Sequence, residues 1–198
     1  QANTTNYMTD AFWVEQMGAK RIVAAREMSL EELREMKKVL PPDTEIEAFV
    51  HGAMCMSYSG RCLLSNFMVG RDANRGSCTH PCRWKYSLVE EKRPGEYYPV
   101  EEDNRGSYIM NSRDLCMLDK LPDLIDAGIS SLKIEGRMKS PFYVATVVSA
   151  YRAALDEYLE DPDNYTFQEK WYKELCKASH REFYHGFYYS KPDSSGQN

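Results

Sequence analysis

No run of about 18 or more apolar residues occurs in this chain, and no basic leader precedes an apolar stretch, so neither a membrane span nor a signal peptide is expected. Several catalytic signatures are missing too. There is no HExxH helix to hold a catalytic zinc, no GxSxG turn to present a serine, and no Walker-type loop to cradle a phosphate. A conventional metalloprotease or serine hydrolase therefore gains no support. Internal repeats and low-complexity tracts are absent, and an overall positive charge is lacking: the net charge of −5 argues against a general nucleic-acid binder. The expected compartment is the cytoplasm. Because the chain opens on Gln1 rather than Met, a natural N-terminus is expected to lie further upstream.

What is present suits one globular unit, since 42% hydrophobic residues can fill a core. The charge is unevenly spread. Between Cys55 and Arg93, seven basic residues (Arg61, Arg71, Arg75, Arg83, Lys85, Lys92, Arg93) face three acidic ones (Asp72, Glu90, Glu91). This segment carries +4, which leaves −9 on the rest. A basic island on an acidic body is either a footprint for a phosphate-bearing partner or an ordinary solvated face.

Six cysteines in a reducing compartment read as metal ligands or buried thiols rather than disulfides. Cys55, Cys62, Cys78 and Cys82 are separated by six, fifteen and three residues, a spacing that matches no standard zinc finger. Four thiolates on a glycine-containing loop can hold an iron–sulfur cluster or a zinc ion, and the spacing leaves both open beside unrelated buried thiols. Cys116 is an alternative fourth ligand, and Cys176 reads as packing.

Local signals predict alternating strands and helices. Met8–Met17 reads as a helix stopped by Gly18, Arg21–Ala25 as a buried strand, and Ser29 with Glu32 as a capping box opening a helix that ends near Leu40. Glu45–Val50 alternates like a strand. Beyond the polar stretch Glu90–Gly106, Tyr108–Met110 is a short strand, Leu115–Ala127 a helix and Ser130–Glu135 a strand. Ser140 and Pro141 then open a long helix. A break at Asp161–Asn164, a helix around Phe167–Lys177 and a disordered tail from Ser190 complete the reading. The repetition implies a parallel α/β fold. With about five strands it is expected to be the C-terminal part of a (β/α)8 TIM-like barrel over residues 1–160. A cysteine-rich insertion is expected at 52–106, and a C-terminal helix and tail at 161–198.

In such a barrel the strand C-terminal ends face the active site. Lys133, Glu135, Arg137 and Lys139 sit at one such end, leading into the helix N-terminus behind Ser140, where an anion fits. A plain Glu135–Arg137 salt bridge is the alternative. His51, at the expected end of its strand, is either a general base or ligand, or a satisfied loop histidine. Arg61, Asn74 and Arg83 are donor-rich neighbours of the cysteines, suited to holding substrate. A nucleophilic Cys55 or Cys62 paired with His51 is the competing thiol chemistry.

The stretch Glu47-Ala-Phe-Val-His-Gly-Ala-Met-Cys55-Met-Ser-Tyr-Ser-Gly-Arg-Cys62-Leu-Leu-Ser65 resembles the signature of the collagenase-like peptidase family of unassigned catalytic type. So do Asn74-Arg-Gly-Ser-Cys78-Thr-His-Pro-Cys82-Arg-Trp-Lys-Tyr86, Met110-Asn-Ser-Arg-Asp-Leu-Cys116 and Leu132-Lys-Ile-Glu-Gly-Arg-Met-Lys-Ser-Pro141. Within that family the chain is most similar to the proteins that make 5-hydroxyuridine in tRNA. The resemblance implies a (β/α)8 barrel, tRNA as partner, and prephenate or a related small carboxylate in the pathway. It also implies a 4Fe-4S cluster on Cys55, Cys62, Cys78 and Cys82, with zinc as the alternative metal. His51, Glu135 and Arg137 are then candidate catalytic residues, and Arg61, Asn74, Arg83, Lys133 and Lys139 candidate substrate contacts. The family's other label, peptidase, is the competing activity, and a purely structural metal is a third reading. The sequence carries no signal for oligomeric state.

Overall fold

The structure, a computed structural model, describes residues 4–190 apart from 56, 60, 85, 97 and 100–112, and leaves out the side chains of 74, 88, 98 and 99. The expected strand at Tyr108–Met110 and nearly all of the expected disordered tail lie outside the described residues.

The first third follows its local signals. Helix α1 (Tyr7–Met17) is capped by Asn6, whose side chain accepts from the Thr9 N–H at 3.0 Å, and it ends on left-handed Gly18. Strand β1 (Arg21–Val23) leads to α2 (Leu30–Val39), which opens with the reciprocal Ser29–Glu32 capping box and buries Leu30, Leu33 and Met36. Its acidic first turn and basic last turn both complement the helix dipole.

Strand β2 (Glu45–Ala53) is the centre of the sheet. It pairs in parallel with β1 and with β6 (Ser131–Glu135), and through its last three residues antiparallel with β5 (Asp114–Cys116). Strand β7 (Phe183–Tyr184) adds in parallel to β5. β2 is almost wholly buried beyond Glu47, as expected of a strand covered on both faces. The sheet is thus mixed, and the described strands do not close into a ring.

Two expectations need correction. β2 runs on past Val50 to Ala53, so His51 lies inside the strand, not at its end. The helix expected over Leu115–Ala127 begins as strand β5. A 3-10 turn (Leu118–Lys120) follows, and only then comes α4 (Leu121–Asp126). Pro122 has no N–H to give and fits only the first turn of a helix, while Asp114, Leu115 and Cys116 are buried by pairing on both sides.

Helix α5 (Pro141–Glu160) starts as expected, with Ser140 accepting from the Tyr143 N–H at 3.2 Å, and buries Val147, Ala150, Tyr151 and Ala154. The Tyr151 hydroxyl donates to the Val50 carbonyl at 2.7 Å and accepts from the Met117 N–H at 3.0 Å, pinning α5 to β2. Helix α6 (Glu169–Leu175) packs on α5 through Trp171 and Leu175. Residues after Asp161 share this core: the Tyr188 hydroxyl donates to the Phe49 carbonyl at 2.5 Å. No helix among the described residues is long and apolar enough to cross a membrane.

Between β2 and β5 lies the cysteine segment. It holds short helix α3 (Leu64–Val69), 3-10 turns at Ala73–Arg75 and Pro81–Arg83, and a hairpin of β3 (Ser87–Leu88) with β4 (Tyr98–Pro99).

Candidate functional site

Cys55, Cys62, Cys78 and Cys82 line one cavity of about 100 Å³. The cavity lies where β2 and β6 end, and the remainder of its wall includes Arg26, His80, Arg83, Glu135 and Arg137. None of the cysteines is in a disulfide.

Local structure explains this convergence. Gly52 has φ of +102°, and a Cβ there would run into the Glu135 carbonyl oxygen. Only glycine lets β2 and β6 approach this closely, which sets Glu135 beside the start of the cysteine segment. Arg83, directly after Cys82, donates to the carbonyl of Met54, directly before Cys55, at 3.3 Å. Its other terminal nitrogen meets Asp114 Oδ1 at 2.7 Å. Asp114 is fully buried and also accepts from the Arg181 N–H at 3.1 Å, with Lys139 Nζ at 3.9 Å. One arginine thereby braces both ends of the cysteine set on the sheet.

Between Cys78 and Cys82 the chain turns at His80, the one non-glycine residue with positive φ among the described residues (φ 54°, before Pro81). Its N–H donates to Cys78 Sγ at 3.3 Å, and the residue lines the cavity. On the far side, the Ser59 N–H donates to Glu27 at 2.6 Å and the Arg26 N–H to Ser59 Oγ at 3.4 Å, docking the loop on the turn after β1.

Burial and mutual repulsion disfavour ionisation of the cavity thiols. Burial pushes the Cys82 thiol up to about 11, and negative charge on Cys55, Cys78 and Cys62 adds to the rise. Cys78 is raised for the same reasons. Thiols that hinder one another's ionisation are the donor set a thiophilic cation relieves. Among the described residues, however, no three His, Cys, Asp or Glu side chains are arranged as ligands of a single metal ion.

Glu135 pairs with Arg26, not with the Arg137 guanidinium: Arg26 Nη2 lies 3.2 Å from Oε2, while Oε1 accepts the Arg137 backbone N–H at 3.1 Å. Arg26 is buried with its guanidinium 3.6 Å from the centre of the Phe49 ring. Burial pulls its pKa down and the charges of Glu135, Cys55 and Glu27 oppose that. Sequence reasoning passed over Arg26, although it directly follows the expected strand Arg21–Ala25, the position that singled out Glu135. His80, hidden between two cysteines, was also missed. Burial lowers its pKa, with Arg83, Arg26 and Lys139 reinforcing and Glu135 opposing, so its imidazole favours the neutral form.

The other expected site residues separate from this group. His51 is 1% exposed, packed by the rings of Tyr143, Tyr151 and Phe183, and does not line the cavity. Lys133 pairs with Glu47 at 3.0 Å. Burial raises the Glu47 pKa, but hydrogen bonds from Lys133 and Ser131 outweigh it and leave Glu47 below its ordinary value. Lys139 donates to the Ser179 carbonyl at 3.0 Å and sits over the Tyr143 ring. Arg61 is exposed on the turn closed by its own N–H to the Tyr58 carbonyl. Asn74 sits in a 3-10 turn, and its side chain is outside the described set. Cys116 is buried in β5 with Sγ 4.0 Å from the Tyr151 hydroxyl, so Cys82 rather than Cys116 joins the other three at the cavity.

Comparison with known proteins agrees with the motifs. The family described as Peptidase family U32 matches residues 1–198. A tRNA hydroxylation protein of Bacillus subtilis is 45% identical over 192 residues, covering 97% of this chain and 44% of the relative. An uncharacterized protease of Methanocaldococcus jannaschii is 41% identical, covering 96% of this chain and 46% of the relative. A 23S rRNA 5-hydroxycytidine synthase of Escherichia coli is 37% identical over 151 residues, covering 76% of this chain and 22% of the relative. The chain thus spans less than half the length of these relatives. No solved structure matches it.

Proposed function

The chain belongs to Peptidase family U32, and from that premise we propose that it is part of an enzyme that hydroxylates C5 of the wobble uridine of tRNA, with a 4Fe-4S cluster held by Cys55, Cys62, Cys78 and Cys82. The observation that carries the reading is the gathering of these four thiols, and of no other cysteine, around one cavity. Four thiols at one cavity suit a sulfur-ligated centre, and iron–sulfur is preferred to zinc because their spacing of six, fifteen and three residues matches no standard zinc finger.

When bound, the cluster supplies one-electron chemistry or a Lewis-acidic iron. The protein's own part is to orient and to move protons. Arg26 holds Glu135 fixed against β6, Arg137 stands at the exposed mouth where a phosphate or the carboxylate of a prephenate-like partner fits, and neutral His80 can take or return a proton inside. The sheet is then read as part of a (β/α)8 barrel completed by the remainder of the protein, with the cavity at its mouth. A tRNA substrate is the reason to place the enzyme in the cytoplasm. Proteolysis is less well served. The thiol chemistry pairs Cys55 or Cys62 with His51 as base, and His51 is buried away from the cavity that both cysteines line.

Anaerobic purification followed by iron and sulfide analysis is expected to give ~4 of each per chain. One equivalent of zinc with no labile sulfide would refute the cluster. Nucleoside analysis of tRNA from a deletion strain is expected to lose the 5-hydroxyuridine derivatives, and their persistence would refute the RNA role.

A further inference from the structure

Helix α3 is an unusual surface element. Leu64 lines the cavity and Ser65 is buried on Thr79, whereas Leu63 and Phe67, one helical turn apart, are 66% and 87% exposed. Tyr58, Met68, Val69 and Trp84 are exposed as well. α3 packs against the Pro81–Arg83 turn that ends at Trp84, and the Tyr86 hydroxyl reaches Met68 Sδ at 3.5 Å and the Pro81 carbonyl at 2.6 Å, so α3 and the Trp84 turn belong to one packed unit, with Tyr58 on the loop that precedes Arg61. A bare Phe side chain on a six-residue helix gives the free fold almost nothing, which points to a partner.

Charge indicates which partner. From Tyr58 to Trp84 there are four arginines and a single acidic residue, Asp72, in a protein whose net charge is −5. Arg61, Arg71 and Arg75 are all exposed, and Arg75 reaches Asp72 only at 4.0 Å. Alternating aromatic and guanidinium groups match a polyanion that carries π-faces, which describes unpaired nucleotides rather than a duplex or an apolar protein surface.

We propose that the exposed face of the cysteine segment, centred on Phe67 with Tyr58, Trp84 and the arginines 61, 71 and 75, is the platform on which single-stranded RNA stacks beside the cavity. The inference rests on the RNA reading above and deepens it by naming the contact surface and the form of RNA it takes. Unpaired bases stack on the rings while the arginines hold flanking phosphates, and the target base is left at the mouth formed by Leu64, His80 and Arg137.

The test uses the full-length protein with its metal centre, a fluorescent RNA hairpin with a seven-nucleotide loop, and the same strand in a perfect duplex. The hairpin is expected to bind tighter than the duplex. Phe67→Ala is expected to weaken hairpin binding about ten-fold and Phe67→Trp to restore it, with iron content and melting temperature unchanged in both. If Phe67→Ala lowers the melting temperature and iron content but leaves hairpin affinity intact, the face is covered by the protein itself and the platform is refuted. If the hairpin binds and tRNA is hydroxylated with Phe67→Ala unaffected, the platform fails while the RNA function stands. If tRNA from a deletion strain keeps its hydroxylated uridines, the function itself fails.

Discussion

His80 and His51 show how burial assigns opposite roles to the same side chain. His80 faces the cavity in a left-handed conformation that Asn tolerates and β-branched residues do not. His80→Asn is therefore expected to keep its iron while losing about 100-fold or more in hydroxylation rate, and His80→Val to lose iron as well. Iron analysis beside single-turnover hydroxylation separates the two. His51, by contrast, is set to stay neutral. Burial depresses its pKa to about 4, Lys139 and His180 push the same way, and the buried Asp114 opposes them. A histidine with a folded pKa below its unfolded 6.5 contributes stability that is complete above pH 6.5 and is lost as pH falls toward 4. The shift corresponds to roughly 3 kcal/mol. Urea unfolding at pH 7.5 and pH 5 should show a loss in the native protein that His51→Phe does not share. An equal loss in both would assign the acid sensitivity to another group.

At the scale of elements, the cavity depends on how closely β2 and β6 approach. Gly52→Ala forces either the Glu135 carbonyl or the β2 backbone to move, at a cost of at least about 2 kcal/mol, and Met54 and Cys55 move with it. Melting temperature and iron content are expected to fall together. Ser29→Ala, which breaks the α2 capping box, is expected to cost about 1 kcal/mol with iron content unchanged, because none of the bonds it removes reaches the cavity. If Gly52→Ala lowers stability alone, the strand approach does not set the site. The same contrast explains what could be read in advance. The capping box and the Ser140–Pro141 start are made by residues three or four apart, so composition reveals them. Strand β5 was read as helix because its strand character comes from β2 and β7, which lie far away in sequence, and β7 itself is two residues long. Lys133 and Lys139 were read at a strand end, whereas Lys133 is the middle residue of β6 and Lys139 lies four residues past it, and their partners Glu47 and Asp114 come from other strands and could not be seen locally. Cysteine spacing left ligation open beside unrelated buried thiols. That Cys82 rather than Cys116 reaches the cavity took the fold to decide.

Over the whole chain, the decisive feature is a segment whose Lys, Arg, Asp and Glu sum to +4, counted without its cysteines, on a remainder of −9. On the RNA reading proposed above, an acidic body would repel RNA at long range and a basic face attract it, turning an incoming strand toward the cysteine segment. Of the arginines beside the cavity and α3, Arg83 is locked between Asp114 and the Met54 carbonyl, while Arg61, Arg71, Arg75 and Arg137 are exposed and positioned to meet phosphates. Four contacts to a single strand give a slope of about −3 in log affinity against log salt, or about a sixty-fold loss between 50 and 200 mM. Replacing Arg71 and Arg75 together by Ala is expected to reduce the slope by about 1.4. Phe67→Ala should lower the affinity at every salt concentration and leave the slope unchanged, because stacking releases no counterions. Titrating the hairpin at five salt concentrations with the three proteins resolves both terms. A slope near zero in the native protein would mean that its charge asymmetry has no part in RNA binding.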